Sequence, residues 1–200
     1  MILLADSGGR APLYQGFPLY QLKITLGDCH PVIWRRVVVR ANMKLNRFHN
    51  VIQTVMGWTN SHLHQFIADN VYYGVPDCKY DDEDFKEQNE KNHTVAELAP
   101  KVNARFIYEY DFGDCWEHAV LLEKILPSDV AFKHPVCLAG ANACPPEDCG
   151  GSSGYAEFVA AMADPQHPEH ETMREWIGGG WDATAFSVEA ANRGLRRISA

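Results

Sequence analysis

Apolar and polar residues alternate in the first part of the chain, a pattern with a period of two that is typical of half-buried strands. In residues 17–26, Tyr20, Leu22 and Ile24 fall on one face. Residues 32–40 predict the returning strand, after a turn at 27–31 that contains Gly and Pro. The pattern therefore predicts a hairpin near the start of the chain.

A second and clearer hairpin is predicted over residues 103–111 and 116–126. Phe106, Tyr108 and Tyr110 alternate with polar or less bulky residues, and Val120 and Leu122 alternate on the return. Gly113 gives the turn its backbone freedom. Shorter strands are predicted over 62–68 and 71–75, whereas the polar residues 77–92 lack the spacing of a calcium loop and predict an exposed loop.

One helix is predicted after the second strand, because apolar residues recur there at steps of three and four. Its apolar stripe contains Leu45, Phe48, Val51, Ile52, Val55 and Met56. Asn42 is suited to cap the start of this helix, and Gly57 is suited to end it.

Three more helices are predicted near the C-terminus. Ser152 or Ser153 would cap the first, Pro168 fits the first turn of the second, and Ser187 would cap the third. Their predicted buried residues are Tyr155, Phe158, Val159 and Met162, then Met173, Trp176 and Ile177 before the glycines at 178–180, then Val188, Ala191, Leu195 and Ile198. Strands followed by helices indicate an α+β fold with a mostly antiparallel sheet built from hairpins. We expect a single domain over 17–198, preceded by a flexible segment at 1–16.

Composition narrows the function classes. Hydrophobic residues make up 46% of the chain and charged residues 22%, as in ordinary globular proteins. Without an apolar run of ~20 residues or a basic leader, we expect no membrane association and a cytoplasmic location. The six cysteines are then expected as thiols or ligands rather than disulfides. A formal net charge of −8 disfavours nucleic acid as a partner without excluding it.

Candidate chemistry concentrates in the second hairpin and the loop that follows it. Acidic, aromatic and imidazole side chains occur there at Asp111, Asp114, Trp116, His118, Glu147 and Asp148. Carboxylates beside a histidine could bind a cation or a basic group, or transfer a proton. The alternative is that Glu147 and Asp148 are turn and capping residues at the start of a helix.

Metal binding is a further hypothesis. Cys137, Cys144 and Cys149, completed by His118 or His134, could form a zinc site, although their spacing is wider than that of structural zinc motifs. The alternative is that they are small, partly buried thiols. Two histidine pairs, His62 with His64 and His167 with His170, are also spaced so that each pair could share a face and bind a metal.

The motif Tyr-Asp-Phe-Gly-Asp-x-Trp-x-His at 110–118, followed by Pro-Pro-Glu-Asp-x-Gly-Gly-x-x-Gly-Tyr at 145–155, resembles the bacterial family named after the third open reading frame of an Agrobacterium Ri plasmid. The likeness extends over about 17–198. It implies a compact α+β fold without an established activity. Some members of that family carry a resolvase label or occur on mobile elements, yet the first strand here contains no serine to act as a resolvase nucleophile.

The leading functional hypothesis is therefore a binding or interaction domain. Its polar cleft would lie between the 104–126 hairpin and the 137–151 loop and would receive a small ligand or a protein. The absence of a recognisable nucleophile with its base favours binding over catalysis. The alternatives are a metal-dependent enzyme of the hydrolase class that uses the same cleft, and a DNA-associated accessory protein of a mobile element.

Overall fold

One eight-stranded sheet and five helices make up the part of the chain that the computed structural model describes, residues 16–75 and 88–199. The strands are β1 Leu19–Leu26, β2 Trp34–Arg40, β3 His64–Ala68, β4 Val71–Gly74, β5 Gln88–Asn89, β6 Arg105–Tyr110, β7 Trp116–Leu126 and β8 Val136–Ala141. The helices are α1 Leu45–Met56, α2 Val95–Leu98, α3 Gly151–Ala163, α4 His170–Trp176 and α5 Val188–Leu195.

The sheet has the strand order β5-β4-β3-β6-β7-β1-β2-β8. Neighbouring strands are antiparallel except for the short β4–β5 pair. Both predicted hairpins are present, with β1 paired to β2 and β6 paired to β7. The prediction of an α+β fold with a mostly antiparallel sheet is confirmed.

Helix α1 packs on the buried face of this sheet. Phe48 contacts Phe66 of β3 and Phe106 of β6, with ring centroids 6.1 and 6.2 Å apart. The whole predicted apolar stripe of α1 is buried, and Gly57 ends the helix in the left-handed conformation. This packing buries the apolar face of α1 against the sheet.

The predicted cap of α1 at Asn42 is wrong. The N-cap is Lys44, whose side chain forms no capping hydrogen bond. The amide of Leu45 instead donates to the carbonyl of His93, from the segment that precedes α2. A backbone acceptor from a neighbouring segment thus replaces the capping side chain.

Several short elements differ from the sequence prediction. The sequence predicts a loop over 137–151, but β8 lies at the start of this segment. The sequence predicts neither β5 nor the short helix α2. β5 also lies within the 77–92 stretch, and the buried Glu90 follows it, so that stretch is not an exposed loop throughout. Residues 76–87 and most of the predicted flexible segment 1–16 lie outside the described residues.

The three C-terminal helices are confirmed, with differences at their ends. Ser187 caps α5 as predicted, because its side chain accepts from the amide of Ala190. The N-cap of α3 is Gly150 rather than Ser152 or Ser153. The burial predicted for Trp176 is wrong: α4 contains no fully buried residue, and Trp176 is 48% exposed.

No helix among the described residues combines the length and the apolar character that a membrane crossing requires.

Two buried histidines lie between α1 and the sheet. His49 bonds to the hydroxyl of Tyr108 at 2.8 Å and to the side-chain oxygen of Asn60 at 2.8 Å. The Nδ1–H of His118 is shared by the carbonyls of Tyr108 and Trp116. Burial lowers the pKa of each ring to about 4, since the interior disfavours the imidazolium form.

We predict that these histidines make folding sensitive to mild acid. The pKa of each histidine is lower in the folded state than the value of 6.5 in the unfolded chain, so on acidification the unfolded chain binds protons first. The contribution of each neutral histidine to the free energy of unfolding is therefore fully present above pH 6.5 and is lost as the pH falls towards 4. The expected loss between pH 7 and pH 5 is on the order of 2 kcal/mol for each histidine. Urea unfolding at the two pH values measures it.

The His118→Phe variant serves as the comparison. In this variant, the change in the free energy of unfolding between pH 7 and pH 5 should be roughly half of that in the unchanged protein, whatever the stability of the variant at pH 7. An unchanged dependence on pH would show that His118 does not titrate in this way.

Candidate functional site

Three loops meet beside the end of α1. They are residues 57–63 after α1, residues 111–115 between β6 and β7, and residues 142–150 between β8 and α3. Together they bring one imidazole and three carboxylates into proximity, and we call His62, Asp111, Glu147 and Asp148 the His62 cluster. The cluster therefore draws on three separate parts of the sequence.

The loop that carries His62 is fixed by hydrogen bonds to α1 and β6. The amide of Asn60 donates to the side chain of Gln53, and the Asn60 side chain accepts from His49. The hydroxyl of Tyr110 accepts from the amides of Ser61 at 2.9 Å and His62 at 3.3 Å. These contacts direct the His62 ring towards the acidic residues.

Asp111 lies in the tight turn that follows β6. Its φ is +58°, a left-handed conformation that Asp adopts more readily than most residues. Its Oδ1 accepts from the amides of Gly113 at 3.0 Å and Asp114 at 3.4 Å. Its Oδ2 lies 3.6 Å from Nε2 of His62, and the side chain is only 10% exposed. One oxygen thus stabilises the turn while the other faces the cluster.

Glu147 and Asp148 approach from the opposite side. Oε1 of Glu147 accepts from the amide of Thr59 at 2.7 Å and from the Thr59 hydroxyl at 3.0 Å. The hydroxyl of Tyr110 donates to both carboxylate oxygens of Glu147 at 3.2 Å. Oε2 of Glu147 lies 3.8 Å from Nε2 of His62. Oδ1 of Asp148 lies 3.2 Å from the same atom, and its side chain is 71% exposed. The cluster is therefore open to solvent on the Asp148 side.

These distances define a set of donors around a common point. Within the described residues, His62, Asp111 and Asp148 form the one group of three or more His, Cys, Asp or Glu residues whose ligand atoms all lie within 4.8 Å of one another. Nε2 of His62 is itself buried and has no hydrogen-bond partner there. The cluster could thus hold a cation.

Other predicted site residues lie elsewhere. Oδ2 of Asp114 accepts from the amide of Gly150, so Asp114 holds the loop before α3. Trp116 and His118 are 2% and 0% exposed, on the face of β7 that enters the core. His118 was expected to supply the imidazole of the cleft, but its burial removes it from solvent, and His62 lies beside the acids instead.

The predicted zinc residues are not members of this cluster. Cys137 of β8 is buried, and its backbone pairs with the side chain of Asn192 of α5. Burial raises the pKa of the Cys144 thiol, with Cys29 and Cys149 among its neighbours, and raises that of Cys149 to about 12. Among the described residues, Cys137, Cys144, Cys149 and His118 do not converge as one set of metal donors.

The two histidine pairs are divided as well. His64 bonds to the buried Glu90 at 2.8 Å and stacks on His49, whereas His62 faces the acids, so the two do not share a site. In the second pair, Nδ1 of His167 accepts from the amide of Glu169, whereas His170 bonds to the carbonyl of Ala161. His134 bonds to the carbonyl of Ile198. His62 is the residue that the sequence did not connect with Asp111 and Asp148, since nothing local links their positions.

We predict that Gly151 is essential for docking the loop of Glu147 and Asp148. Its φ is +68°, and a Cβ atom there would lie 2.8 Å from the carbonyl oxygen of Asp114. Gly151→Ala should therefore lower the free energy of unfolding by about 2 kcal/mol or more. Gly178→Ala is the control, since Gly178 has φ +80° and a Cβ atom there would have no atom of the described residues within 4 Å. Equal losses in urea unfolding would contradict the predicted contact.

Comparisons with known proteins agree with the sequence resemblance. The family described as plasmid pRiA4b ORF-3-like protein matches residues 18–190. An uncharacterised protein of Sinorhizobium fredii, y4hQ, is 38% identical over 182 residues, which cover 90% of this chain and 92% of that protein. The crystal structure of MM3350, a protein of unknown function from Methanosarcina mazei Go1, aligns with a TM-score of 0.77 and 33% identity, over 87% of this chain and 97% of the other. The chain therefore belongs to the plasmid pRiA4b ORF-3-like family.

Proposed function

We propose that this protein is a binding domain whose His62 cluster holds a divalent transition-metal ion. The observation that carries the proposal is the position of Nε2 of His62. This atom is buried without a hydrogen-bond partner among the described residues and lies 3.2–3.8 Å from oxygens of Asp111, Glu147 and Asp148. A buried polar atom without a partner is costly, and a metal bond would satisfy it.

The spacing of the donor atoms supports coordination. Metal–ligand distances of about 2.0–2.2 Å place two ligands of a tetrahedral ion about 3.3–3.6 Å apart. The contacts of Nε2 of His62 with Asp148 at 3.2 Å and Asp111 at 3.6 Å are close to this separation. Small movements of side chains would therefore complete the site.

The charge of the cluster supports a cation as well. Three carboxylates share a small volume, and among the described residues no Lys or Arg forms an ion pair with any of them. Like charges at this distance repel one another. A divalent ion bound among them would offset that repulsion.

The type of donor narrows the choice of metal. An imidazole nitrogen suits zinc, iron and other first-row ions, whereas magnesium and calcium prefer oxygen ligands throughout. The backbone amides that hold Oδ1 of Asp111 and the Thr59 contacts of Glu147 orient these carboxylates, as outer contacts commonly do in metal sites. Zinc and manganese are therefore the ions to test first.

We predict that protein dialysed against a chelator binds Zn²⁺ or Mn²⁺ with one equivalent per chain in calorimetric titration. His62→Gln and Asp111→Asn should each weaken binding by about tenfold or more, because each removes a ligand. Asn at position 111 retains an oxygen for the amides of the turn and tolerates its positive φ, so the fold should persist.

Two control variants separate this site from others. His167→Gln replaces a histidine away from the cluster, and Cys149→Ser removes a thiol of the alternative zinc set; both should bind metal as the unchanged protein does. A one-to-one site that is lost in Cys149→Ser and kept in His62→Gln would refute the proposed cluster. An absence of binding to the unchanged protein would do the same.

A metal-dependent hydrolase is the second candidate, and the exposure of Asp148 favours it. Because the cluster opens to solvent on that side, an ion bound by protein ligands could keep a position for water, as catalytic sites do. Such an ion would lower the pKa of its bound water.

We predict for this candidate that bis(p-nitrophenyl) phosphate or p-nitrophenyl acetate is hydrolysed only by the metal-loaded protein. The activity should be lost in His62→Gln and retained in His167→Gln, as followed by nitrophenolate absorbance. If metal binds at the cluster and the rate equals that of the free ion, the protein is a binding domain and this candidate is removed.

A further inference from the structure

A cavity beside the His62 cluster, with Glu147 common to both, lies between the end of α1, the loop before α3 and the segment that leads into α5. It has a volume of about 440 Å³, within the range of small-molecule sites. We call it the Trp58 pocket; aromatic and proline rings line much of it, and its lining includes Arg35, Trp58, Pro145, Trp181, Phe186 and Ala190. Its walls are suited to a flat apolar molecule.

Arg35 is the distinctive residue of this pocket. Its side chain is 1% exposed, and its guanidinium donates to four main-chain carbonyls, those of Trp34, Val55, Ala141 and Asn142. A guanidinium has five N–H donors, so one remains beyond these bonds. The ring of Phe186 covers one face of the group at 3.9 Å. Because Arg35 lines the pocket, its remaining N–H is the donor available to a ligand there.

The charge of Arg35 has no anionic partner among the described residues. No carboxylate there forms an ion pair with it. Carbonyl dipoles and the C-terminal end of α1, where Val55 lies, offset only part of a unit charge. Glu147 also lines the pocket, but its carboxylate is bonded to Thr59 and Tyr110 on the side of the His62 cluster. A buried, unpaired charge is costly, and an anionic ligand would reduce that cost.

We propose that the Trp58 pocket binds a small organic anion, with its acidic group on the edge of the Arg35 guanidinium and a flat apolar body between the rings of Trp58, Trp181 and Phe186. Arginine is suited to this role because it stays charged, so that its remaining N–H can form a charge-assisted hydrogen bond to an oxyanion. The aromatic walls supply apolar contact with such a body. The proposal does not depend on a metal at the His62 cluster.

Two fluorescent probes of nearly the same shape test both parts of the proposal. 8-Anilinonaphthalene-1-sulfonate carries an acidic group on a flat aromatic body, and N-phenyl-1-naphthylamine has the same body without the acid. In titrations of chelator-treated protein, the sulfonate should bind at one site. Its affinity should exceed that of the uncharged amine by about tenfold or more, which is the discrimination expected of a charge-assisted hydrogen bond. Equal affinities would overturn the role of Arg35.

Variants locate the bound probe. Ala190→Trp fills the pocket from the exposed side of α5 and should weaken binding of the sulfonate about tenfold or more. Ala156→Trp adds the same side chain at an exposed position of α3 outside the pocket and should leave binding unchanged. Ala185→Trp, at another exposed position that lines the pocket, gives a second test should Ala190→Trp fail to fold by circular dichroism. Undiminished binding in a folded pocket variant would overturn the proposal.

Discussion

The hydroxyl of Tyr110 is the contact on which the arrangement of the His62 cluster depends. It accepts from the amides of Ser61 and His62 and donates to Glu147, so that one side chain of β6 joins the loop after α1 to the loop before α3. Burial raises the pKa of this phenol to about 12, which keeps it protonated as a donor at neutral pH. Because Tyr110 is itself fixed by the β6–β7 hairpin, the position of the cluster follows from the register of the sheet.

Charge is distributed unevenly around the loop that contains Glu147. On one side, the acids of the His62 cluster have no Lys or Arg partner among the described residues; on the other, Arg35 is buried without a carboxylate. The indole N–H of Trp58 holds the loop in place through a 3.0 Å bond to the carbonyl of Pro145. Opposite charges thus remain apart because the backbone between them is fixed. The acids of the His62 cluster are therefore suited to a cation, and Arg35 is suited to an anion.

Long periodic segments were predictable from the sequence, because many residues repeat the same signal. The stripe of α1 and the alternation of β6 are examples, and their buried faces agree with the structure. β5 and α2 have two and four residues, too few for any period to emerge. Trp176 shows a different limit. Its helix is correctly predicted, yet the residue is 48% exposed, because amphipathic spacing alone does not provide a covering surface.

The pattern of residues along the chain determined the class of the fold. It also identified Asp111, Glu147 and Asp148 as candidate site residues. The alternation of β7 even implied that His118 is buried, since it shares a face with Val120 and Leu122. Only the tertiary structure decided that His62 joins these acids. Its position depends on the pairing of β3 with β6 and on the hydrogen bonds of the loop after α1, which are contacts between residues remote in sequence. The periodicity of a sequence indicates which face of a strand or helix carries a side chain. Strand pairing and loop contacts determine which other residues lie next to it.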